Sequence, residues 1–377
     1  MINATGRWSV NAGSHAGAQQ PATDKPNKRR FPAEWEPQSG VMLTWPQPDG
    51  PWEEHYAAVE ACFTAIATAI RRHEALLIIG RDSRQQAQIA ANLKAEKTPP
   101  NDHPVVFAQA PANDCWSRDH GPLTVWVDGE PHLLDFRFNA WGGKYPFADD
   151  DAITRNVHAA GHFGAVPLEP VPLVLEGGAI DTDGQGSLLA TRHCVLSPSR
   201  NPGLNQTDLE TALSEKLGIK HFHWLAHGRL LGDDTDGHID TLARFCSLDT
   251  IAYTACEDPD DPHYAPLQAM ASELQALRRT DGSAYRLVPL PLPAPCYAEA
   301  GSRLPATYAN FLIINQAVLV PVYNDPNDTI ACERLAALFP DRAIIAIDCQ
   351  PLIHQYGSLH CVTMQLPSGV IESCASP

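Results

Sequence analysis

The chain alternates helical segments with short apolar strands several times, and this alternation most constrains its fold. Residues 53–72 carry apolar side chains at helical spacing, and the apolar run ALLIIG (residues 75–80) follows directly. A helical segment and an apolar run then recur in the same order, as residues 83–95 and PVVFAQ, 151–163 and PLVLEGG, 207–217 and KHFHWL, 264–279 and YRLVPL, and 330–339 and RAIIAID. Helices that alternate with buried strands are typical of α/β proteins, so we predict an α/β fold.

The helix predicted over residues 207–217 has end signals of its own. Thr207 and Glu210 have the spacing of a capping box, in which two side chains satisfy backbone N–H groups at the start of a helix. Gly218 follows the last helical residue, where glycine commonly ends a helix. We therefore predict a helix that begins near Thr207 and ends before Gly218.

Length and composition predict one compact body. The chain has 377 residues, of which 44% are hydrophobic and 19% charged, so it can bury a large core. Residues 1–30 are polar and lack the continuous apolar centre of a secretory signal. We predict a flexible N-terminal extension over residues 1–30 and a single domain over residues 31–377, because no low-complexity segment divides the latter.

The charge balance predicts the class of partner. The formal net charge is −17, with 44 acidic and 27 basic side chains. Such a surface repels nucleic acids and anionic membranes and favours cationic ligands. The sequence also has no run of 18 or more apolar residues, the length that a bilayer span requires. We therefore predict a small cationic partner, with no nucleic acid and no membrane.

The ten cysteines include no Cys-x-x-Cys pair, which argues against a zinc ribbon or a redox dithiol. Most of them stand among apolar residues, as small buried side chains do. Free cysteines suit a reducing compartment, so we predict a cytoplasmic protein. The dipeptide His-Cys occurs twice, as His193-Cys194 and as His360-Cys361. The first pair lies inside a β-like run, and we predict that it belongs to the core.

Chemically active residues stand at or beyond the downstream ends of the strand-like runs. Asp119 follows VVFAQ, Glu176 follows PLVL, His238 and Asp240 follow FHWL, and Cys361 follows AIIAID. In α/β folds the loops at these strand ends converge to build a site. We therefore expect these five residues to meet in one pocket although they are far apart in the chain.

A cysteine, a histidine and three carboxylates supply a nucleophile, a proton carrier and a binding patch for positive charge. A free thiol has a pKa of about 8.5, so a nucleophilic cysteine needs help from an adjacent cation or base. Two aspartates can hold a planar guanidinium through paired hydrogen bonds and present its central carbon to the sulfur. The bound guanidinium would then supply part of the positive charge that a nucleophilic thiol needs beside it.

Several sequence blocks together resemble the agmatine deiminase family, also called the bacterial-type peptidylarginine deiminases, within the guanidine-modifying superfamily. The similarity covers residues 31–367 in the same order. The blocks that carry it are FPAEWEPQSGVMLTWP, DCWSRDHGP, FNAWGGK, LEGGAIDTDGQGSLLAT, SRNPGL, GDDTDGHIDTLARF and GSLHCVTMQLP.

The resemblance implies a fold, a reaction and a set of roles. The implied fold is the five-bladed α/β propeller (pentein), built from ββαβ units around a pseudo-fivefold axis. The implied reaction converts agmatine and water to N-carbamoylputrescine and ammonia through a covalent thiouronium, with no cofactor and no metal. The implied roles are nucleophile for Cys361, general acid and base for His238, partner of His238 for Glu176, guanidinium ligands for Asp119 and Asp240, and pocket wall for Trp116.

The surroundings of the nucleophile depart from the plant-type pattern. Members of that type read Gly-Gly-Asn-Ile-His-Cys and His-x-Asp-Asn, whereas this chain reads YGSLHC and HIDT. The choice between agmatine and another guanidine, such as peptidylarginine or free arginine, therefore stays open. Gly357 should allow close approach of backbone and substrate. His360 should point away from the substrate in an extended segment, and we assign it a structural or hydrogen-bonding role.

Other interpretations remain for these residues. Asp119 could pair with Arg118, and Glu176 could be a turn residue. The block DDTDGHID lacks the acidic ligand that a calcium loop has near its twelfth position. A metal-dependent amidohydrolase would use His238 and Asp240 as ligands, but the chain has no His-x-His or His-Glu-x-x-His cluster. A non-catalytic propeller and a homo-oligomer also stay open.

Overall fold

The computed structural model describes residues 28–96 and 102–371 of the 377-residue chain. The extension predicted over residues 1–30 therefore lies outside the described residues except at its end. There, Arg29 and Arg30 form a short strand that pairs with Val127 and Trp126, so these two residues belong to a sheet. The single domain over residues 31–377 stays a prediction.

Seventeen strands in the described part of the chain form five small sheets. The sheets have the strand orders β1-β5-β6-β7, β10-β9-β8, β11-β12-β13, β14-β15-β16 and β17-β2-β3-β4. The strands are β1 Arg29–Arg30, β2 Gln38–Thr44, β3 Ala75–Gly80, β4 Val105–Gln109, β5 Leu123–Val127, β6 Glu130–Arg137, β7 Leu168–Val174, β8 Ile180–Thr182, β9 Ser187–Thr191, β10 His221–Leu225, β11 Ala243–Phe245, β12 Thr250–Thr254, β13 Arg286–Leu290, β14 Leu312–Ile314, β15 Ala317–Val322, β16 Ala343–Asp348 and β17 Thr363–Pro367.

All five sheets share one local arrangement. Each contains a strand that pairs antiparallel with one neighbour and parallel with the other, namely β2, β6, β9, β12 or β15. In every sheet a helix connects the two parallel strands, as parallel pairing requires. In the sheet of β2, the antiparallel neighbour is β17, so the second and the last strands of the described chain share a sheet. The predicted α/β class is confirmed, while closure of the sheets into a five-bladed propeller stays a prediction.

The helices lie close to the positions that the sequence periodicity predicts. The main ones are α1 Tyr56–Ile70, α2 Ser83–Ala95, α5 Asp150–Ala159, α7 Gln206–Leu217, α8 Tyr264–Ala276 and α9 Asn327–Leu338, and the four-residue ones are α3 Ser117–His120, α4 Ala140–Gly143, α6 Arg192–Val195 and α10 Gln350–Ile353. Among the described helices, none combines the length and the apolar character needed to cross a membrane.

The start of α7 differs from its prediction, although its end does not. The capping box uses Asn205 and Asp208, two residues earlier than the predicted Thr207 and Glu210. Both pairs have the same spacing, and asparagine is as good an N-cap as threonine or better. Gly218 adopts a left-handed conformation with φ of 73° and ends the helix as predicted.

A network of buried charges lies inside the apolar core and leads to the candidate site. Glu34 accepts a hydrogen bond from Arg244 Nη2 at 2.9 Å, and its Oε2 lies 3.7 Å from Arg118 Nη2. The same oxygen lies 2.7 Å from His360 Nε2. Burial alone would raise the pKa of Glu34, but Arg244 and His360 hold it well below its ordinary value. Glu34 therefore remains ionised and fixes His360 in place.

Candidate active site

The five residues that follow the strands come close together in the fold, but of the five the described lining of the cavity contains Asp119 and Cys361 and not the other three. Asp119 lies in α3, Glu176 directly precedes a 3₁₀ turn, and His238 directly precedes another, which contains Asp240. Cys361 lies in the turn before β17, and all five side chains are buried.

Gly178 marks the point at which three of these side chains converge. A Cβ at this position would lie 2.6 Å from His238 Nδ1, 2.9 Å from Asp119 Oδ1 and 3.1 Å from Asp240 Oδ2. Any larger residue would therefore push the three groups apart. The second glycine of the Glu-Gly-Gly block thus lets two carboxylates and an imidazole share one small space.

The sulfur of Cys361 lies between a carboxylate and an amide. Its Sγ is 4.0 Å from Asp240 Oδ2 and 3.4 Å from Asn310 Oδ1. The same Asn310 oxygen accepts the backbone N–H of His360 at 2.9 Å and of Cys361 at 3.3 Å. Burial raises the pKa of the Cys361 thiol well above its ordinary value, and Asp240 and Asp119 raise it further. In the empty site the thiol is therefore protonated.

The imidazole of His238 lies beside an acidic group but makes no hydrogen bond. Its Nδ1 is 3.5 Å from Asp119 Oδ1, and neither ring nitrogen has a hydrogen-bond partner among the described residues. Burial would lower the pKa of His238, but the carboxylates of Asp119 and Glu176 raise it well above its ordinary value. His238 is therefore a cation that can give up a proton.

Glu176 lies near His238 but forms its hydrogen bond elsewhere. A carboxylate oxygen of Glu176, the Sγ of Cys194 and a ring nitrogen of His238 lie within 4.8 Å of one another. Glu176 Oε1 accepts a hydrogen bond from Arg200 Nε at 3.0 Å, and both side chains are buried. The sequence reasoning missed Arg200 as a site residue, although the residue stands in the quoted block SRNPGL. The predicted partnership of Glu176 with His238 stays a prediction.

The pair His193-Cys194 lies in a different element from the predicted one. It belongs to the short helix α6 rather than to a strand, because β9 ends at Thr191. Cys194 is fully buried, as predicted for a core residue, and it lies beside His238. Burial raises the pKa of the Cys194 thiol, so the group next to His238 is neutral.

The two aspartates predicted to hold a guanidinium have different partners. Asp119 accepts hydrogen bonds from the Trp141 indole N–H at 2.9 Å and from the Gly178 backbone N–H at 3.1 Å. Burial raises the pKa of Asp119 to about 6, although His238 opposes this shift. Burial would also raise the pKa of Asp240, but its hydrogen bond with His360 lowers it. Asp240 is thus the more firmly ionised of the two.

His360 acts on Asp240 rather than on the cavity. Its Nδ1 lies 2.8 Å from Asp240 Oδ2 and its Nε2 lies 2.7 Å from Glu34 Oε2. The predicted extended segment is wrong at this position, because residues 359–362 form a turn. The predicted hydrogen-bonding role agrees with these contacts. The other Asp240 oxygen, Oδ1, is buried and has no hydrogen-bond partner among the described residues.

A cavity of about 260 Å³ opens onto Cys361 and Asp119. Five aromatic residues form part of its walls, and its described lining includes four aspartates but no lysine, arginine or histidine. The aromatic residues and aspartates that line it are Trp116, Phe138, Trp141, Tyr145, Tyr356, Asp114, Asp119, Asp150 and Asp234. This cavity suits a ligand that is positively charged and has an apolar middle.

Trp116 forms one wall of the cavity, where the sequence predicted it. Its indole N–H donates to Asp114 Oδ2 at 2.9 Å, and Trp52 donates to the other oxygen of Asp114 at 2.9 Å. The opposite edge of the Trp116 ring fills the space that a Cβ on Gly357 would need. Gly357 therefore gives room to this tryptophan, which is a more specific role than the predicted close approach of the backbone to substrate.

One group of described residues has the composition of a metal site. Glu176, Cys194 and His238 are its members, and all three are buried. However, the guanidinium of Arg200 already binds Glu176, and its positive charge opposes a metal ion at this position. The predicted absence of a metal and of a cofactor stays a prediction.

The family of the chain follows from its match to known proteins. A family model described as Porphyromonas-type peptidyl-arginine deiminase matches residues 30–367. The chain belongs to this family. A curated relative from Marinomonas sp. (strain MWYL1), provisionally named agmatine deiminase, is 33% identical over 370 residues, which cover 92% of this chain and 95% of the relative. The resemblance inferred from the sequence blocks is thus confirmed.

Solved structures of deiminases have the same mixed α/β fold. One from Porphyromonas gingivalis, provisionally named arginine deiminase, is 49% identical, with a TM-score of 0.85 and coverage of 92% of this chain and 100% of that one. An agmatine deiminase from C. jejuni, a cysteine-to-serine variant with substrate bound, is 36% identical, with a TM-score of 0.83 and coverage of 92% and 98%. Membership of this family indicates a hydrolase that acts on the C–N bonds of a guanidine.

Proposed function

We propose that this deiminase-family protein hydrolyses agmatine to N-carbamoylputrescine and ammonia, with Cys361 as the nucleophile. The observation that carries the proposal is the position of the Cys361 thiol. It lines an acidic cavity together with Asp119 and lies beside Asp240 and Asn310, and Asp119, Asp240 and His238 converge at Gly178. A guanidinium bound there presents its carbon to sulfur and its N–H groups to two carboxylates.

Binding of the guanidinium would activate the thiol. The neighbouring carboxylates Asp240 and Asp119 help to keep the pKa of Cys361 high in the empty site. A bound cation offsets these negative charges, so the pKa of the thiol falls and its proton passes to solvent. The unpartnered Oδ1 of Asp240 supplies an acceptor for one guanidinium N–H. Substrate binding and nucleophile activation are therefore coupled in this mechanism.

The reaction then proceeds in two stages. The Cys361 thiolate forms a C–S bond to the guanidinium carbon, and protonated His238 donates its proton to the amino group that leaves as ammonia when the C–N bond breaks. The thiouronium intermediate is attacked by water, which gives a proton to the now neutral His238. The C–S bond breaks, the remaining hydroxyl proton passes to the departing sulfur, and the products are the Cys361 thiol and the neutral substituted urea.

The substrate class follows from the charge of the cavity. Four aspartates and no described basic residue line it, so the carboxylate of free arginine would meet repulsion where the corresponding end of agmatine carries only an ammonium. The aromatic walls formed by Trp116 and Trp141 suit the aliphatic middle of the substrate. Relatives named as agmatine deiminases support this choice, and one similar structure is named as an arginine deiminase.

An assay of ammonia release tests the proposal directly. The purified protein is given agmatine, free arginine, a peptidylarginine and methylated arginines at equal concentrations. We expect agmatine to have the highest kcat/KM. A higher kcat/KM for peptidylarginine or free arginine would replace agmatine with that compound, and ammonia release from none of them would contradict the deiminase proposal.

The cytoplasm is the compartment that we propose for this reaction. The nine cysteines among the described residues are free thiols, and a reducing compartment keeps such groups reduced. An unmodified nucleophile at position 361 requires the same condition, since oxidation of the thiol would stop the reaction.

A further inference from the structure

Arg200 is a buried cation to which the proposed reaction gives no role. Its side chain is 1% exposed, and a buried guanidinium is costly unless its N–H groups are paired. Its Nε donates to Glu176 Oε1 at 3.0 Å, and its Nη2 donates to the backbone carbonyl of Thr235 at 2.8 Å. Its Nη1 donates to Asp236 Oδ2 and to Ser199 Oγ. One guanidinium therefore binds both Glu176 and the segment of residues 235–236.

The segment that Arg200 binds leads directly into His238. Asp236 and Gly237 both have positive φ, 67° and 85°, and this left-handed conformation is uncommon for a residue with a side chain. A turn of this kind needs contacts with its surroundings to keep its shape. The backbone N–H of His238 donates to Thr235 Oγ1 at 3.1 Å inside the turn. The position of the imidazole therefore depends on the position of the turn.

Two side chains hold this turn from different sides. Asp233 holds it from within the same segment, because its carboxylate accepts the backbone N–H of Thr235 at 3.0 Å. Arg200 holds it from another part of the chain, through the Thr235 carbonyl and the Asp236 carboxylate. Because Arg200 also binds Glu176, it connects the turn to a second part of the active site.

Glu176 brings the same guanidinium close to the imidazole of His238. A carboxylate oxygen of Glu176 and a ring nitrogen of His238 lie within 4.8 Å of each other, yet neither ring nitrogen has a hydrogen-bond partner among the described residues. A buried carboxylate this close to an imidazolium would gain by forming an ion pair with it. The hydrogen bond to Arg200 directs the carboxylate elsewhere and offsets part of its charge.

We propose that Arg200 is a positioning residue for the general acid: it holds Glu176 and the 235–236 segment in a fixed relation, so that His238 keeps a free N–H for the leaving amino group. This inference rests on the proposed function, because it takes His238 to be the acid. An imidazolium paired directly with Glu176 would hold its proton more tightly and would direct it away from the substrate. Arg200 is absent from the described cavity lining, so it acts through these contacts.

The acidic groups around His238 set the sign of the expected effects. Burial would lower the pKa of His238, but the carboxylates of Asp119 and Glu176 raise it well above its ordinary value. Asp240 is a third carboxylate that converges on the same point. Activity that needs the protonated imidazole is lost as pH rises through this raised pKa.

The other ionisable neighbours of His238 leave this sign unchanged. Three of them are neutral because burial moves their pKa values away from the charged forms, namely His193, Cys194 and Cys361. Strands β11 and β8 pack against the 3₁₀ turn that follows His238, and there Arg244 Nε lies 3.5 Å from Asp181 Oδ2. Removal of the Arg200 charge leaves Glu176 free to pair with the imidazolium and should therefore raise the pKa of His238 further.

Arg200→Gln removes this charge while keeping an amide that can donate to Glu176. We expect kcat for agmatine to fall by about a hundredfold and KM to change by less than about threefold, because the cavity lining is unaltered. The loss of kcat at alkaline pH should move up by about one pH unit or more. Glu176→Gln should move the same loss to lower pH. A side chain that only supported the fold would not give pH shifts of opposite sign in these two variants.

A titration of His238 itself tests the inference without requiring turnover. The full-length protein is labelled with carbon-13 at the Cε1 of histidine, and the His238 signal is identified by its absence from a His238→Asn variant. The NMR midpoint of His238 should be higher in Arg200→Gln than in the wild type, and lower in Glu176→Gln. The double variant Arg200→Gln/Glu176→Gln should have a higher midpoint than Glu176→Gln alone.

Two further variants separate charge from geometry. Arg200→Lys keeps the charge, but one ammonium cannot reproduce the planar arrangement in which a guanidinium binds Glu176 and the Thr235 carbonyl together. The His238 midpoint should stay close to that of the wild type, while kcat should fall by less than in Arg200→Gln. Arg192→Gln is the matched control, since it makes the same change on an exposed arginine of α6. Both kcat and the midpoint should then be retained.

Each outcome decides the inference. A His238 midpoint in Arg200→Gln that equals that of the wild type or lies below it would overturn it, and so would a loss of kcat/KM that comes from KM alone. If Arg200→Gln does not fold, the double variant replaces the buried charge pair with two amides and decides in its place. Equal midpoints in the double variant and Glu176→Gln then overturn the inference. If the midpoints move as expected while the wild type releases no ammonia from agmatine, the proposed reaction fails and the positioning of His238 by Arg200 stands.

Discussion

The dipeptide His-Cys occurs at two places in the chain, and the two copies have different surroundings. Cys361 lines the cavity, and its Sγ lies near Asp240 and Asn310. Cys194 lies beside His238 and Glu176 and is absent from the described cavity lining. Burial raises the pKa of both thiols. Only the thiol that faces the cavity can have its pKa lowered by a bound cation.

The histidines of the two His-Cys dipeptides also differ in their surroundings. His360 is buried and connects Asp240 to Glu34, so it fixes a carboxylate of the site. His193 is half-buried and packs against the backbone of Gly237, where its ring occupies the place of a side chain. The comparison teaches that the dipeptide does not define the nucleophile. Access to the cavity and contact with the carboxylates do.

The largest expected effect is at Cys361. Cys361→Ser should lower kcat by more than about a thousandfold, because a hydroxyl is far less acidic than a thiol and has no adapted base in this site. Ammonia release measures the loss, and circular dichroism checks that the fold is retained. Mass spectrometry of the wild-type protein during turnover should find the adduct on Cys361 and not on Cys194. Robust activity of the serine variant would remove Cys361 from the mechanism.

The second largest effect is expected at the carboxylates of Asp119 and Asp240. Asp119→Asn and Asp240→Asn each keep the shape of the side chain but remove a charge that faces the guanidinium. Breaking a buried charge pair costs about 3 to 5 kcal/mol, so kcat/KM should fall by about a hundredfold or more. The exposed Asp260→Asn is the control and should behave almost as the wild type. Near-normal kinetics of both cavity variants would contradict the assignment of the guanidinium ligands.

Glu176→Gln should have an intermediate effect through His238. Glutamine keeps an acceptor for Arg200 but removes a negative charge that helps to raise the pKa of His238. The pKa of His238 should therefore fall, and the activity that needs its protonated form should be lost at a lower pH than in the wild type. We expect kcat to fall by about tenfold to a hundredfold with little change in KM. An unchanged pH profile would separate Glu176 from His238.

The sequence predicted the site better than it predicted the network that supports it. Asp119, Glu176, His238, Asp240 and Cys361 follow strands, and strand ends converge in an α/β fold, so their meeting could be inferred.

No local sequence pattern predicted the contacts that support the site. Glu34 and His360 are 326 positions apart and meet only through the tertiary fold. Asn310 stands between apolar residues in YANFLII and shows no motif. Arg200 stands in a recognised block, but its bond to Glu176 could not be inferred without coordinates.

Cys194→Ser tests whether the two cysteines of the His-Cys dipeptides differ in function. We expect this variant to change the stability of the protein more than its activity. The thiol is fully buried, and burial of a hydroxyl without a good partner costs about 1 to 3 kcal/mol. A neutral group would still lie beside His238, so kcat should change by less than about tenfold. Thermal unfolding and ammonia release measure the two effects. A loss of kcat as large as that of Cys361→Ser would mean that the second copy of the dipeptide has a catalytic role.

Treatment with a strong chelator should have no effect on activity. Attack of a thiolate on a carbon that is already cationic needs no Lewis acid. Among the described residues, the group that could hold a metal is Glu176, Cys194 and His238, and Arg200 already binds its glutamate. Loss of ammonia release on chelation, restored by zinc in the wild type but not in Cys194→Ser, would contradict the assignment of Cys194 to the core. Cys194 would then be a metal ligand, and His238 would hold the metal instead of carrying the proton.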